Sequence, residues 1–113
     1  MIHEMHLHAA PFLRIKSGEK RFEIRLFDEK RSKLRIGDPL LFISRENGDC
    51  IQAEIVGLYR FSTIDELPLF FSVKQSGLLP DMPMGDLAQE IKTFYSPADI
   101  LKYGFLGIVF DVT

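Results

Sequence analysis

The stretch from Pro11 to Asp38 constrains the fold more than any other part of this sequence. It reads PFLRIKSGEKRFEIRLFDEKRSKLRIGD, which places a short helix, an alternating strand, a charged loop and a glycine turn close together. Nine of the fourteen Lys and Arg residues lie between Arg14 and Arg35, beside four acidic residues, whereas eleven acids and five bases follow from Gly37 onward. A chain whose net charge is −2 therefore concentrates its positive charge in one region.

The size and composition of the chain predict a single globular domain spanning residues 1–113. A length of 113 residues suits one domain, and 46% hydrophobic residues can supply a core. A net charge of −2 argues against a protein that coats nucleic acid non-specifically, because that mode needs many phosphate contacts. It is compatible with one small anion-binding cleft, since the local field matters more than the net charge.

The cysteine count and the N-terminus predict a cytoplasmic protein with no membrane contact. Cys50 is the single cysteine, which rules out a disulfide framework within the chain. The opening MIHEMHLHAA has neither the basic region nor the apolar run of a signal peptide. His6 and His8 share a predicted strand face, but the sequence fixes no third or fourth ligand, and we predict no metal site.

Hydrophobic periodicity predicts an α+β fold, a small curled mixed sheet or partly closed barrel of about five strands with short flanking helices. Strands are predicted at residues 2–8, 20–26, 40–43, 50–61 and 105–112. Helical segments are predicted at residues 9–17, 63–67, 86–94 and 97–103, with a long loop at 77–85.

The strand at residues 20–26 carries the first candidate site residues. Glu23 and Arg25 share one face, and the other face carries Phe22, Ile24 and Leu26. One interpretation is a half-buried strand whose polar face is solvated. The other is a cleft in which Glu23 holds Lys20 and Arg25 in place for an anionic or carbonyl-bearing ligand. The charged loop DEKRSKLR, residues 28–35, is either solvated or in contact with phosphate.

Several segments together resemble the ASCH domain family, and one bacterial branch of it in particular. They are FLRIKSGEKRFEIR at residues 12–25, DEKR at 28–31, IGD at 36–38, LYRF at 58–61, FYS at 94–96 and KYGFLGI at 102–108. The resemblance implies a small barrel related to the PUA fold. It also implies a cleft between barrel and helices that binds RNA, a nucleotide or a nucleoside.

On this interpretation, cations and a carboxylate hold a nucleotide or a single-stranded RNA phosphate, while a tyrosine stacks on a base. The predicted ligand-binding residues are Lys20, Glu23, Arg25, Arg31, Tyr59 and Tyr95. No cofactor is implied, and nothing in the sequence indicates an oligomeric state.

Two other functions stay open at this stage. Some small members of the family are grouped as amidohydrolases that remove the acetyl group of N4-acetylcytidine, and Lys20 matches their catalytic lysine. Glu23 stands where those members have a threonine, so Glu23 would act as general base while Lys20 polarises the carbonyl. The third possibility is a protein-interaction domain that uses the apolar segment 69–79.

Overall fold

A computed structural model describes residues 2–62 and 95–113, which form a five-stranded mixed sheet with two α-helices. The elements are β1 His3–Leu7, α1 Ala9–Ser17, β2 Phe22–Leu26, a 3-10 turn Arg31–Lys33, β3 Pro39–Ser44, β4 Cys50–Phe61, α2 Pro97–Tyr103 and β5 Phe105–Val112. The strand order is β1-β3-β4-β5-β2, with β1 and β3 parallel and the other pairs antiparallel. The predicted α+β fold of about five strands with short helices is confirmed.

Both helices begin and end where their local signals predict. Gly18 follows α1 at φ +87°, a left-handed conformation that glycine adopts without steric cost, and its N–H donates to the carbonyl of Ile15 at 3.1 Å. At the start of α2 the Ser96 hydroxyl accepts a hydrogen bond from the N–H of Asp99 at 3.2 Å. The sequence therefore determines these two boundaries locally, before tertiary packing adds anything.

Within residues 2–62 and 95–113, each face of the sheet packs on one helix, and the faces are named here after those helices. On the α1 face, buried side chains of the sheet pack with Phe12 and Ile15 of α1. On the α2 face, a second cluster packs with Ile100 and Tyr103 of α2. The central strand β5 is buried on both faces from Phe105 to Phe110, as the sequence predicts for a strand inside the sheet.

A bulge in β4 exchanges the faces that its side chains occupy. The register with β5 shifts between Ile55 and Gly57, so Ile55 lies on the α1 face but Gly57 and Tyr59 lie on the α2 face. Leu58 and Arg60 take the α1 face beyond the bulge. Strict alternation along an unbroken strand would have kept Tyr59 on the same face as Ile55.

The β3 strand is covered less than its sequence predicts. Leu40 and Phe42 are buried, whereas Leu41 and Ile43 are only partly buried. Among the described residues, the cluster on the α2 face draws on β2, β5 and the end of β4 and contains no residue of β3. A continuous apolar run therefore overstated burial on this face.

Four sequence predictions lie outside the described residues: the helical segments 63–67 and 86–94, the loop 77–85 and the apolar segment 69–79. The single domain over residues 1–113 stays a prediction. Of the helices within residues 2–62 and 95–113, none is long and apolar enough to cross a membrane.

The contact between β5 and β2 leaves no room for a side chain at Gly107. A Cβ there would lie 2.4 Å from Cζ of Phe22, and Phe22 is buried at 1% exposure. We expect Gly107→Ala to lower the free energy of unfolding by about 1–3 kcal/mol through overpacking, measured by urea denaturation. Gly57→Ala is the matched control, because its closest contact is the more exposed Tyr59 ring at 3.2 Å. An equal or larger loss in the control would contradict this account.

Candidate functional site

The side chains of Lys20 and Glu23 form an ion pair inside the fold. Strand pairing sets Glu23 opposite Ile108 of β5 on the α1 face, where Glu23 is 8% exposed. The Lys20 Nζ lies 3.3 Å from Oε2 and 3.5 Å from Oε1 of Glu23, and the N–H of Ile24 donates to Oε1 at 3.2 Å. The Lys20 side chain is itself only 12% exposed. Glu23 is therefore not part of a solvated strand face.

The surroundings of Glu23 keep its carboxylate ionised. Burial has the largest effect on the pKa of Glu23 and raises it. The charges of Lys20 and Arg25, with the hydrogen bonds from Lys20 and from the N–H of Ile24, outweigh burial and hold the pKa below its usual 4.5. Oε2 of Glu23 is buried and accepts no hydrogen bond from the described residues, so one oxygen keeps open acceptor capacity.

Arg25 connects the two end strands of the sheet. Its Nη2 donates to the carbonyl of His6 on β1 at 3.5 Å, although β1 and β2 stand at opposite ends of the strand order. The sheet therefore curls into a half barrel. The polar cluster of Lys20, Glu23 and Arg25 lies where β2 approaches β1 and is called the mouth below.

The charged loop after β2 is ordered by Asp28. Its Oδ1 accepts the N–H of Arg31 at 2.9 Å, and its Oδ2 lies 3.3 Å from Nη1 of Arg31. The Arg31 side chain is 19% exposed, and its Nε is buried without a hydrogen-bond partner among the described residues. Asp28 thus holds both the backbone and the guanidinium group of Arg31 in place in this part of the loop.

The hydroxyl of Tyr95 interacts electrostatically with charged residues of β2 and of the loop that follows it. Its ring packs edge-on against Phe105, with the centroids 6.4 Å apart. Burial raises the pKa of the Tyr95 hydroxyl above its usual value. Arg25 and Arg31 lower it, and Glu23 and Asp28 raise it, to smaller extents. The structure thus brings Lys20, Glu23 and Arg25 together, whereas Arg31 is paired with Asp28 in the loop and the Tyr95 ring packs with the cluster on the α2 face.

Tyr59 does not join this group, and Arg60 does. Tyr59 pairs with Gly107 on the α2 face, away from Glu23. Arg60 pairs with Leu106 on the α1 face, as Arg25 does from the other side, and its guanidinium carbon lies 3.8 Å from the centroid of the Phe27 ring. The glycine inside β4 was the available signal, because glycine within a strand often marks a bulge.

A groove with a volume of about 630 Å³ is lined by Asp28 and by residues that do not belong to the mouth. It runs between the start of β1, the loop with Lys30 and Lys33, and Tyr103 of α2. Because it also carries Glu4 and two acids of the loop, its lining has no dominant charge. No three metal-ligating side chains converge anywhere in residues 2–62 or 95–113.

Comparison with known proteins identifies a family and two similar structures. A family model for the ASCH domain matches residues 5–96. The crystal structure of the hypothetical protein PH0355 superposes with a TM-score of 0.82 at 27% identity, over 100% of both chains. The solution structure of protein PF0455 from Pyrococcus furiosus gives a TM-score of 0.72 at 26% identity, over 99% of this chain and 97% of that chain. No curated protein matches.

The lowered pKa of Glu23 predicts an acid-dependent loss of stability. The unfolded carboxyl titrates near 4.5 and the folded one lower, so the unfolded state binds more protons in between. The stabilisation is present above pH 4.5 and is lost as the pH falls through the folded pKa. We expect urea unfolding of Glu23→Gln to depend less on pH in this range than unfolding of the unmodified protein.

The exposed Glu19 supplies the control for this experiment. Glu19→Gln should keep the pH dependence of the unmodified protein, because the Glu19 carboxyl has no ion pair or hydrogen bond with the described residues to lose. Parallel curves for Glu23→Gln and the unmodified protein would contradict the prediction.

Proposed function

Because the chain belongs to the ASCH domain family, we propose that it binds a nucleotide or a short single-stranded RNA at the mouth. The observation that supports this most is the buried Lys20–Glu23 pair beside the partly exposed Arg25. A protein rarely buries such a pair for stability alone, since desolvation offsets much of the attraction. We place this activity in the cytoplasm, as the sequence predicts.

Each residue of the mouth would have a distinct part in binding. Glu23 fixes the ammonium of Lys20. Within the described part of the fold Arg25 donates one hydrogen bond, to the carbonyl of His6, so most of its five N–H donors remain for a phosphate or carbonyl. Asp28 fixes Arg31 in the same way at the neighbouring loop. Tyr95 offers a half-buried ring and hydroxyl beside these cations.

We expect Arg25→Ala to weaken RNA binding about tenfold or more, because a charge-assisted hydrogen bond contributes roughly 1.5–3 kcal/mol. Lys20→Ala should weaken it similarly. The measurement is fluorescence anisotropy with labelled single-stranded RNA of mixed sequence at low salt, since salt screens phosphate contacts.

Arg21→Ala is the matched control for charge removal. Arg21 pairs with Asp111 at 3.5 Å and lies four residues along the chain from Arg25, about 13 Å away at strand rise. It should leave the affinity nearly unchanged. Equal losses in Arg21→Ala and Arg25→Ala would mean that the binding is a general charge effect and not a property of the mouth.

A small amidohydrolase is the second candidate, favoured by the open acceptor position on Oε2 of Glu23. Glu23 would take a proton from water, the resulting hydroxide would attack the acyl carbonyl, and Lys20 would stabilise the oxyanion. The proton would then pass from Glu23 to the departing amine nitrogen. The lowered pKa makes Glu23 a weak base, which ranks this activity second.

N4-acetylcytidine is the substrate for testing the hydrolase. Release of cytidine by the unmodified protein, with no release by Glu23→Gln or Lys20→Ala, would support it. Turnover that is the same in all three proteins would reject it for this substrate.

A further inference from the structure

The residues at and beside the mouth carry more positive than negative charges, and two arginines account for the excess. Lys20 is paired with Glu23, and Arg31 is paired with Asp28. Arg25 and Arg60 also occupy the α1 face here, and no carboxylate of residues 2–62 or 95–113 lies within ion-pair distance of either. Two positive charges are therefore left without a partner in the described part of the fold.

These two arginines stand on either side of one residue. Arg25 on β2 and Arg60 on β4 both pair with Leu106 of β5, so all three side chains share the α1 face. Neighbouring strands lie about 4.8 Å apart, which sets the two arginine backbones roughly 10 Å apart across the sheet. Two long side chains can converge on one group over that span, above the apolar Leu106.

The Arg60 guanidinium is already held in position. Its central carbon lies 3.8 Å from the centroid of the Phe27 ring. Phe27 packs on the core of the α1 face, and its N–H donates to the carbonyl of Gly104 at 2.9 Å. Stacking uses the flat face of a guanidinium and leaves its in-plane N–H donors available. Arg60 therefore combines a fixed position with unused donors.

We propose that Arg60 and Arg25 together bind a terminal phosphate, so that the ligand of the mouth is a phosphomonoester. The proposal rests on the function proposed above and narrows its ligand class. A phosphomonoester carries about −1.5 to −2 charges at neutral pH and three acceptor oxygens, which matches two unpaired guanidinium groups. A phosphodiester carries a single charge, and a nucleoside carries none. Free nucleoside monophosphates and the phosphorylated end of an RNA both offer this group.

The test compares ligands that differ only in the terminal phosphate. The probes are the four nucleoside 5′-monophosphates with the four nucleosides, and one single-stranded RNA with and without a 5′-phosphate, all at one low salt concentration. We expect the phosphorylated member of at least one set to bind tenfold or more tightly to the unmodified protein. The set that shows the preference identifies the source of the phosphate.

Variants of Arg60 then test whether this residue is responsible for the preference for the phosphorylated ligand. Arg60→Ala should reduce the ratio of phosphorylated to unphosphorylated affinity to near one, and Arg60→Lys should restore part of it, since lysine keeps the charge without the planar fork. Arg21→Ala should keep the full ratio. Circular dichroism and thermal melting confirm that each variant is folded.

The outcomes separate this inference from the function on which it rests. Equal affinity for the phosphorylated and unphosphorylated members in both sets would overturn the phosphomonoester and leave the binding of RNA or nucleotide in place. No binding of any probe would overturn both. A phosphate preference that survives in Arg60→Ala would overturn the role of Arg60.

Discussion

The pairing of β5 with β4 on one side and with β2 on the other sets the position of most charged groups at the mouth. Glu23 stands opposite Ile108, and Arg25 and Arg60 both stand opposite Leu106. A shift of one residue in either pairing would turn these charges to the other face, because side chains alternate along a strand. Burial of β5 on both faces specifies its register strongly.

Burial of the ion pair between Lys20 and Glu23 carries a large desolvation cost that apolar side chains would not have. Removing two charges from water costs several kcal/mol for each ion, and their attraction offsets this only with good geometry and further hydrogen bonds. Here the geometry is loose, at 3.3 Å and 3.5 Å, and Oε2 accepts no hydrogen bond from the described residues. An apolar pair would satisfy the core better. A ligand of the kind proposed above would complete these polar contacts.

The local parts of the fold could be read from the sequence, and the tertiary parts could not. Gly18 and Ser96 carry signals within a few residues, and α1 ends and α2 begins where those signals predict. Alternation along β2 separates Glu23 from Phe22 but does not show which face another element covers. That information resides in the pairing with β5, far along the chain, and in the packing of α1 on the sheet.

For a similar reason, the sequence does not show that Arg60 lies on the α1 face and Tyr59 on the α2 face. Periodicity assumes an unbroken strand, and one extra residue near Gly57 reverses every side chain that follows. The sequence contains the glycine but not the register that makes it a bulge. The ion pair of Arg31 with Asp28 could not be predicted either, because composition alone cannot distinguish a solvated loop from one organised around a carboxylate.

The curled shape of the sheet also bears on how copies of this chain behave towards each other. β2 ends the sheet in the described part of the fold, and an end strand can act as a template for the strand of another molecule. Glu23 and Arg25 point inward from that strand, and Arg25 spans to His6 on the opposite end. A second molecule that added a strand there would have to strip water from Arg25 and displace its link to His6. The polar groups of the mouth thus disfavour edge-to-edge polymerisation of the chain.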